Sequence, residues 1–195
     1  MKRPRVFGVV ITVPDALSRA ADRVRRHYDP NFPRIGAHVT VLPPRPLPLT
    51  RGEVLAAVRR AAAASRPFAC SLGGIRTFDP VMPVVYASLR RGRVSLRRLH
   101  ARLARGSLCG AEAFPYVPHL TLGQKLDSAR LRRAVALSER IFSSLEKDWT
   151  AGQLVVVERL TEELWLPLAP VPLNGGPAPA IRQRRPRRKT KARTR

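Results

Sequence analysis

One short phrase occurs twice in the chain, and no other feature limits its fold as tightly. The first copy reads Phe32-Pro33-Arg34-Ile35-Gly36-Ala37-His38-Val39-Thr40-Val41. The second reads Phe114-Pro115-Tyr116-Val117-Pro118-His119-Leu120-Thr121-Leu122. Both run Phe-Pro, a short linker, then His-apolar-Thr-apolar. In a strand, alternate residues share a face. His38 and Thr40 therefore project together, opposite Val39 and Val41, and His119 and Thr121 project opposite Leu120 and Leu122. If the two halves face each other about a pseudo-twofold axis, both polar pairs converge in one cleft.

The remaining pattern supports a duplication. Residues 6–13 are nearly continuous in apolar, β-rich residues and read as a central strand. Leu17, Ala20, Ala21, Val24 and Tyr28 recur at helical spacing over 15–28, with Arg on the other face, until Asp29-Pro30 breaks the helix. Residues 37–42 form a strand ended by Pro43-Pro44. Thr50 and Glu53 make a capping box for a helix to about 65. Strands follow at 68–78 and 83–89, with Asp79-Pro80 between them. A basic helix spans 93–105 and a strand 119–123. Asp127 caps a helix to about 145, and a hairpin over 154–160 and 164–168 closes the body. The expected order is β-α-β-α-β-β-α-β-α-β-β, split as β-α-β-α-β and β-α-β-α-β-β. The expected fold class is α+β. It is a bilobal, duplicated arrangement of two small, mainly antiparallel sheets facing a central cleft, with helices outside. Residues 1–172 form this unit, and 173–195 form a disordered Arg/Lys-rich tail.

The formal charge is +24. Residues 182–195 hold nine Lys/Arg and no Asp/Glu, so the rest still carries +15. A polyanion is the expected partner, and the tail is expected to hold nucleic acid nonspecifically through counterion release. Cys70 and Cys109 fit no metal-binding or redox spacing and read as free thiols in a reducing cytoplasm, Cys109 as a partly buried small residue. Lys2, Arg3, Arg5 and the apolar run after them mimic a secretion signal. Thr12 and Pro14-Asp15 argue for a strand instead. No segment approaches a membrane span, and the expected state is a cytoplasmic monomer.

Two imidazoles and two hydroxyls suit phosphodiester chemistry. One imidazole takes a proton from the attacking oxygen, and the other gives one to the leaving oxygen. The ordinary histidine pKa lies close enough to neutrality for both tasks. Thr40 and Thr121 would hydrogen-bond the non-bridging oxygens, where transition-state charge gathers. No metal or other cofactor is expected. The nearest carboxylates in sequence, Asp29 and Glu112, stand at some distance from the motifs. The two other histidines, His27 and His100, fall on predicted basic helices and read as surface residues.

Ala37-His38-Val39-Thr40-Val41-Leu42-Pro43-Pro44 and Pro118-His119-Leu120-Thr121-Leu122-Gly123 resemble the paired motifs of the 2H phosphoesterase superfamily. Within it, the similarity is to the 2′-5′ RNA ligase-like (LigT-like) group, over about residues 5–170. The resemblance implies a bilobal fold and action on 2′,3′-cyclic phosphates or 2′-5′ linkages of RNA. Other members act on small cyclic nucleotides such as ADP-ribose 1″,2″-cyclic phosphate. It maps the catalytic histidines onto His38 and His119, and the phosphate-binding threonines onto Thr40 and Thr121. The sequence departs from the family in two places. Gly123-Gln124-Lys125 replaces a common Gly-Arg, which leaves Lys125 as a substitute cation. Leu42-Pro43-Pro44-Arg45 replaces the Phe-Leu-Gly common in RNA-active ligase members.

Tyr116 and Tyr86 are further candidates, for stacking on a base, and Arg34 and Arg76 for meeting phosphates. The competing functions are a metal-independent RNA phosphodiesterase with reverse 2′-5′ ligation, a small cyclic nucleotide phosphodiesterase, and an RNA-binding module that uses the basic surface and tail.

Overall fold

The computed structural model describes residues 4–161 and 164–173. The elements are β1 (Arg5–Thr12), α1 (Asp15–Tyr28), β2 (His38–Leu47), α2 (Arg51–Ala63), β3 (Phe68–Thr77), β4 (Val85–Arg91) and α3 (Arg93–Leu103). A 3-10 turn at Gly106–Leu108 follows, then β5 (His119–Gly123), α4 (Ser128–Phe142), β6 (Asp148–Ala151), β7 (Gln153–Thr161) and β8 (Leu164–Pro172). The caps read from the sequence are in place. Thr50 and Glu53 form the reciprocal capping box of α2, and Asp127 accepts from the Arg130 N–H at 2.7 Å.

The strands form one antiparallel sheet in the order β6-β3-β4-β5-β2-β1-β7-β8, not the two separate sheets expected. Its halves, β2-β1-β7-β8 and β5-β4-β3-β6, meet where Val39 pairs with Leu120. The division of the chain also differs from the expected one. β3 pairs with β4 and β6 in the second half, and the final hairpin returns to β1 and completes the first. Two helices reach across the seam, while α2 packs on β7 and β8 and α4 on β3, β4 and β5 of their own halves. α1 packs on β5 and α4, while α3 packs on β2 and α2.

Two differences in strand length share one cause. β2 does not stop at Pro43-Pro44 but runs to Leu47, and β8 extends to Pro172. Proline lacks the N–H that a central strand must donate, but an edge strand tolerates it. Beyond Val39, β2 is bonded to β1 alone, and β8 is bonded only to β7. β6 escaped the sequence reading because four residues, two of them polar, carry too little pattern. Its pairing with β3 makes it a strand. Leu173, assigned to the tail, is 2% exposed and donates its N–H to the Gly152 carbonyl at 2.9 Å. The basic tail itself lies outside the described residues.

Most of the core lies between the sheet and the helices. Leu17, Val24, Val39, Leu99, Leu120 and Leu122 meet there. Each fully buried leucine contributes about 1.5–3 kcal/mol. On the opposite face, a small cluster of Val10, Val155 and Val157 carries Ile35 and Trp165. This second face holds the cleft. Among the described residues, no helix is long and apolar enough to cross a membrane.

Candidate active site

The alternation predicted for both motifs is present. In β2 and β5 the His and Thr positions are half-buried on one face and their neighbours are buried in the core; of the four, His38, Thr40 and Thr121 line the cavity of that face and His119 does not. Antiparallel pairing of Val39 with Leu120 sets His38 across from Thr121 and Thr40 across from His119. Each histidine therefore faces the other half's threonine. His38 Nδ1 lies 2.7 Å from the Gly36 carbonyl, and His119 Nδ1 lies 2.6 Å from the Val117 carbonyl. A carbonyl only accepts, so both Nδ1 atoms carry the proton and both Nε2 atoms are left for substrate. The carbonyl belongs in each case to the residue two positions upstream.

Burial lowers both imidazoles. It takes His38 down to about 4, with the Arg25 and His119 charges adding to the effect and the Gly36 bond and Asp29 opposing it. His119 is lowered by burial against the opposing bond to Val117. Both imidazoles are thus held below the ordinary pKa expected from the sequence.

His38, Thr40 and Thr121 line a cavity of about 250 Å³ with Arg25, Asp29, Gln124 and Trp165 among its other walls. Arg25 was placed on the solvent face of α1, yet it is 2% exposed. It donates to Asp29 Oδ2 at 2.9 Å, to Asp22 Oδ1 at 3.2 Å and to the Ile35 carbonyl at 2.8 Å. Asp29 Oδ1 in turn accepts from Gln124 Nε2 at 2.8 Å and from the Asn31 N–H at 2.9 Å. One buried carboxylate thus ties the linker before the first motif to the residue just past the second. Asp29 is the C-cap of α1, four residues after Arg25, so the pair forms where the helix ends. The link to Gln124 was not readable in the sequence, because 95 residues separate the partners.

The other candidates divide. Tyr86 is 9% exposed, stacks on Phe78 with ring centroids 4.2 Å apart, and lies 5.1 Å from the His119 ring. Phe78 meets His119 edge-on at 5.0 Å. Tyr86 is thus the wall behind His119. Tyr116 donates to the Thr40 carbonyl at 2.8 Å and stacks on His100 at 4.0 Å, so its ring is committed within the protein. His100 is not a surface residue. It is half-buried, with Nδ1 bonded to the Val41 carbonyl at 2.8 Å and Nε2 3.2 Å from Glu112. Glu112 also takes an Arg45 hydrogen bond, so this cluster fixes the linker before the second motif. His27 is exposed, as expected.

Lys125 is exposed and adopts φ 56°, while Gln124 beside it lines the cavity. Lys125 does not wall the cleft. Arg34 donates to Asn31 Oδ1 at 3.2 Å, and Arg76 is exposed on β3. Both cysteines are free thiols. Cys70 is buried, which pushes its thiol up to about 12, and Cys109 is exposed rather than partly buried. Among the described residues, no group of three or more His, Cys, Asp or Glu could hold a metal ion. Trp165 and Gly8 stand in no recognisable sequence pattern, and Gln124 was marked only as a departure from the family's Gly-Arg.

A family model described as the 2′-5′ RNA ligase superfamily matches residues 13–163. The chain belongs to that superfamily. The resemblance to 2H phosphoesterases drawn from the two motifs is upheld, and this superfamily member is a 2H-type phosphoesterase. It is 26% identical to a Bacillus cytotoxicus protein named “Putative phosphoesterase” over 160 residues, 82% of this chain and 91% of that one. A Bacillus pumilus protein of the same name is 31% identical over 121 residues, 62% of this chain and 70% of the relative. Two solved structures share the superfamily member's fold. Escherichia coli LigT complexed with 3′-AMP has TM-score 0.56 at 17% identity, covering 87% of this chain and 98% of LigT. TT0787 of Thermus thermophilus has TM-score 0.59 at 18% identity, covering 88% and 98%.

Proposed function

We propose that this phosphoesterase opens a 2′,3′-cyclic phosphate or cleaves a 2′-5′ phosphodiester of RNA by histidine acid–base catalysis without a metal, with His38 and His119 as the catalytic residues. One observation carries the reading. Both histidines are held by the same Nδ1–H bond to a carbonyl two residues upstream, which frees both Nε2 atoms, and each stands opposite a threonine of the other half.

A water oxygen attacks phosphorus, and its proton passes to one Nε2. The bond from phosphorus to one ribose oxygen breaks, and the other imidazole, protonated, gives that oxygen its proton. With the 5′-hydroxyl of a second RNA end in place of water, the same proton transfers would break the bond from phosphorus to the 3′ oxygen of the cyclic phosphate, protonate that oxygen and leave a 2′-5′ linkage. The Thr40 and Thr121 hydroxyls stabilise the non-bridging oxygens. An anionic phosphate between the rings raises both imidazole pKa values, because a nearby negative charge favours the protonated form. Substrate binding thus opposes the effect of burial and favours the imidazolium that the leaving oxygen needs.

A second reading, hydrolysis of a small cyclic nucleotide, is favoured by the size of the cavity. At about 250 Å³ it falls below the roughly 300–1,000 Å³ of pockets for drug-sized ligands. Solved LigT chains are complexed with 3′-AMP, ATP and NADP+, which supports a nucleotide substrate in either reading.

The test is turnover, with EDTA present, of a short RNA ending in a 2′,3′-cyclic phosphate. The wild type should open it. His38→Ala and His119→Ala should each lose about 10²–10⁴-fold in kcat/KM, with folding intact by circular dichroism. Unchanged turnover in both variants would refute the reading. Turnover of a cyclic mononucleotide but not of the RNA would select the second.

A further inference from the structure

The two halves share their histidine geometry but not the floor beside it. Across from Thr40, β1 places Val10, and across from Thr121, β4 places Tyr86. In the second half, Tyr86 and Phe78 fill the space against His119. In the first half, that space is open. Gly8, two residues before Val10, lines the cavity with Val10, Val157, Ile35 and Trp165. A Cβ added at Gly8 would lie 3.4 Å from Val157 Cγ2 and 3.5 Å from Pro44 Cγ, both atoms of cavity walls. The missing side chain therefore keeps the floor clear.

The strand order β5-β2-β1-β7-β8 separates the polar residues of β5 and β2 from the apolar ones of β7 and β8 along the cavity, whose wall also includes Arg25, Asp29 and Gln124. The polar end presents His38, Thr40 and Thr121, suited to an anion. The other is apolar, with an indole. A sugar phosphate would leave the apolar end in contact with water. A nucleotide satisfies both ends, because a base offers a flat face to an aromatic side chain. Asn31, also on the wall, uses its Oδ1 to accept from Arg34, which leaves its amide N–H groups for the polar edge of a base.

We propose that Gly8, Val10, Val157 and Trp165 form a nucleobase seat, so that the nucleoside bearing the reacting phosphate lies over the first half of the cleft. The proposal rests on the phosphodiester reading and adds a direction to it. The next residue of an RNA substrate lies outside the cavity, and recognition is confined to one nucleoside.

The test is calorimetric titration of the full chain with adenosine 3′-monophosphate and with inorganic phosphate. The wild type should bind the nucleotide at least about tenfold tighter than phosphate, given the usual strength of base–aromatic stacking. Trp165→Ala should weaken nucleotide binding by about 5- to 150-fold and leave phosphate binding unchanged, which also reports an intact fold. Trp165→Phe should keep most of the nucleotide affinity. Gly8→Leu should block the nucleotide but not phosphate. Equal nucleotide affinity in the wild type, Trp165→Ala and Gly8→Leu overturns the seat, as does a wild type that binds nucleotide no tighter than phosphate. A base-free diester, bis(4-nitrophenyl) phosphate, separates the two ideas. If it is cleaved while Trp165→Ala leaves nucleotide affinity unmoved, the seat fails and the reaction stands. If nucleotide binds through Trp165 but no diester is cleaved, the seat stands and the reaction fails.

Discussion

The first half of the sheet and the second hold their histidines in the same way, yet they support them differently. His38 and His119 each bond the carbonyl two residues upstream. Behind the first linker sits a buried ion-pair group, Arg25 with Asp22 and Asp29. Behind the second sits a stack of His100 on Tyr116, with Arg45 and Glu112 beside it. Over the first motif the cleft is open, and over the second it is filled by Tyr86 and Phe78. The duplicated part is thus the local backbone device that fixes a tautomer. What surrounds it is free to differ, and that difference shapes the space left for a substrate.

The largest test of this comparison replaces each hydroxyl separately. Thr40→Val and Thr121→Val should each lower kcat on a 2′,3′-cyclic phosphate by about 10²-fold, the usual cost of losing one donor to a developing oxyanion. Equal losses would make the halves chemically equivalent. A loss confined to one would break the symmetry at the phosphate itself.

Stability should be less even. Asp29→Ala removes a carboxylate that neutralises Arg25, whose side chain is 3% exposed, and should cost about 3 kcal/mol in urea melts. Glu112 is more exposed, at 21% of its side chain, and Arg45 keeps three carbonyl partners. Glu112→Ala should therefore cost only about 1–2 kcal/mol. Equal costs would show the two supports to be interchangeable.

The smallest effects are on proton affinity. Burial lowers His119, and Tyr86 is part of what buries it. Tyr86→Val, which copies the first half's Val10, should raise the His119 pKa toward 6.5 in an NMR titration of the imidazole protons. For His38, the folded pKa of about 4 lies below the unfolded value of 6.5. The unfolded chain therefore binds the proton more readily. The stability this site contributes is complete above pH 6.5 and is lost as the pH falls from 6.5 through 4. His38→Gln should flatten that part of the stability–pH curve, and an unchanged slope would contradict the burial of the ring.

Much of this was legible in the residues. The two His-x-Thr pairs, their shared faces, the capping box at Thr50 and the boundaries of α1 follow from periodicities and caps that act over a few residues. The length of β2 was not legible. Whether Pro43 and Pro44 end a strand depends on a neighbour being there to demand their N–H. Nor could the sequence place Trp165, whose position in the cleft depends on β8 joining β7 at the edge of the sheet.

The sequence by itself determined that two histidines and two threonines would point away from a core on strands of matching design. Strand alternation and the repeated linker are local, and they fix the direction of a side chain without any knowledge of its partners. Only the tertiary structure decided that each histidine faces the other half's threonine, that Asp29 reaches Gln124, and that Tyr86 closes one side of the cleft while Gly8 opens the other. These depend on the register of a single seam and on which strands lie beside it. Contacts between residues 80 or more positions apart arise when the chain packs, and no local pattern encodes them.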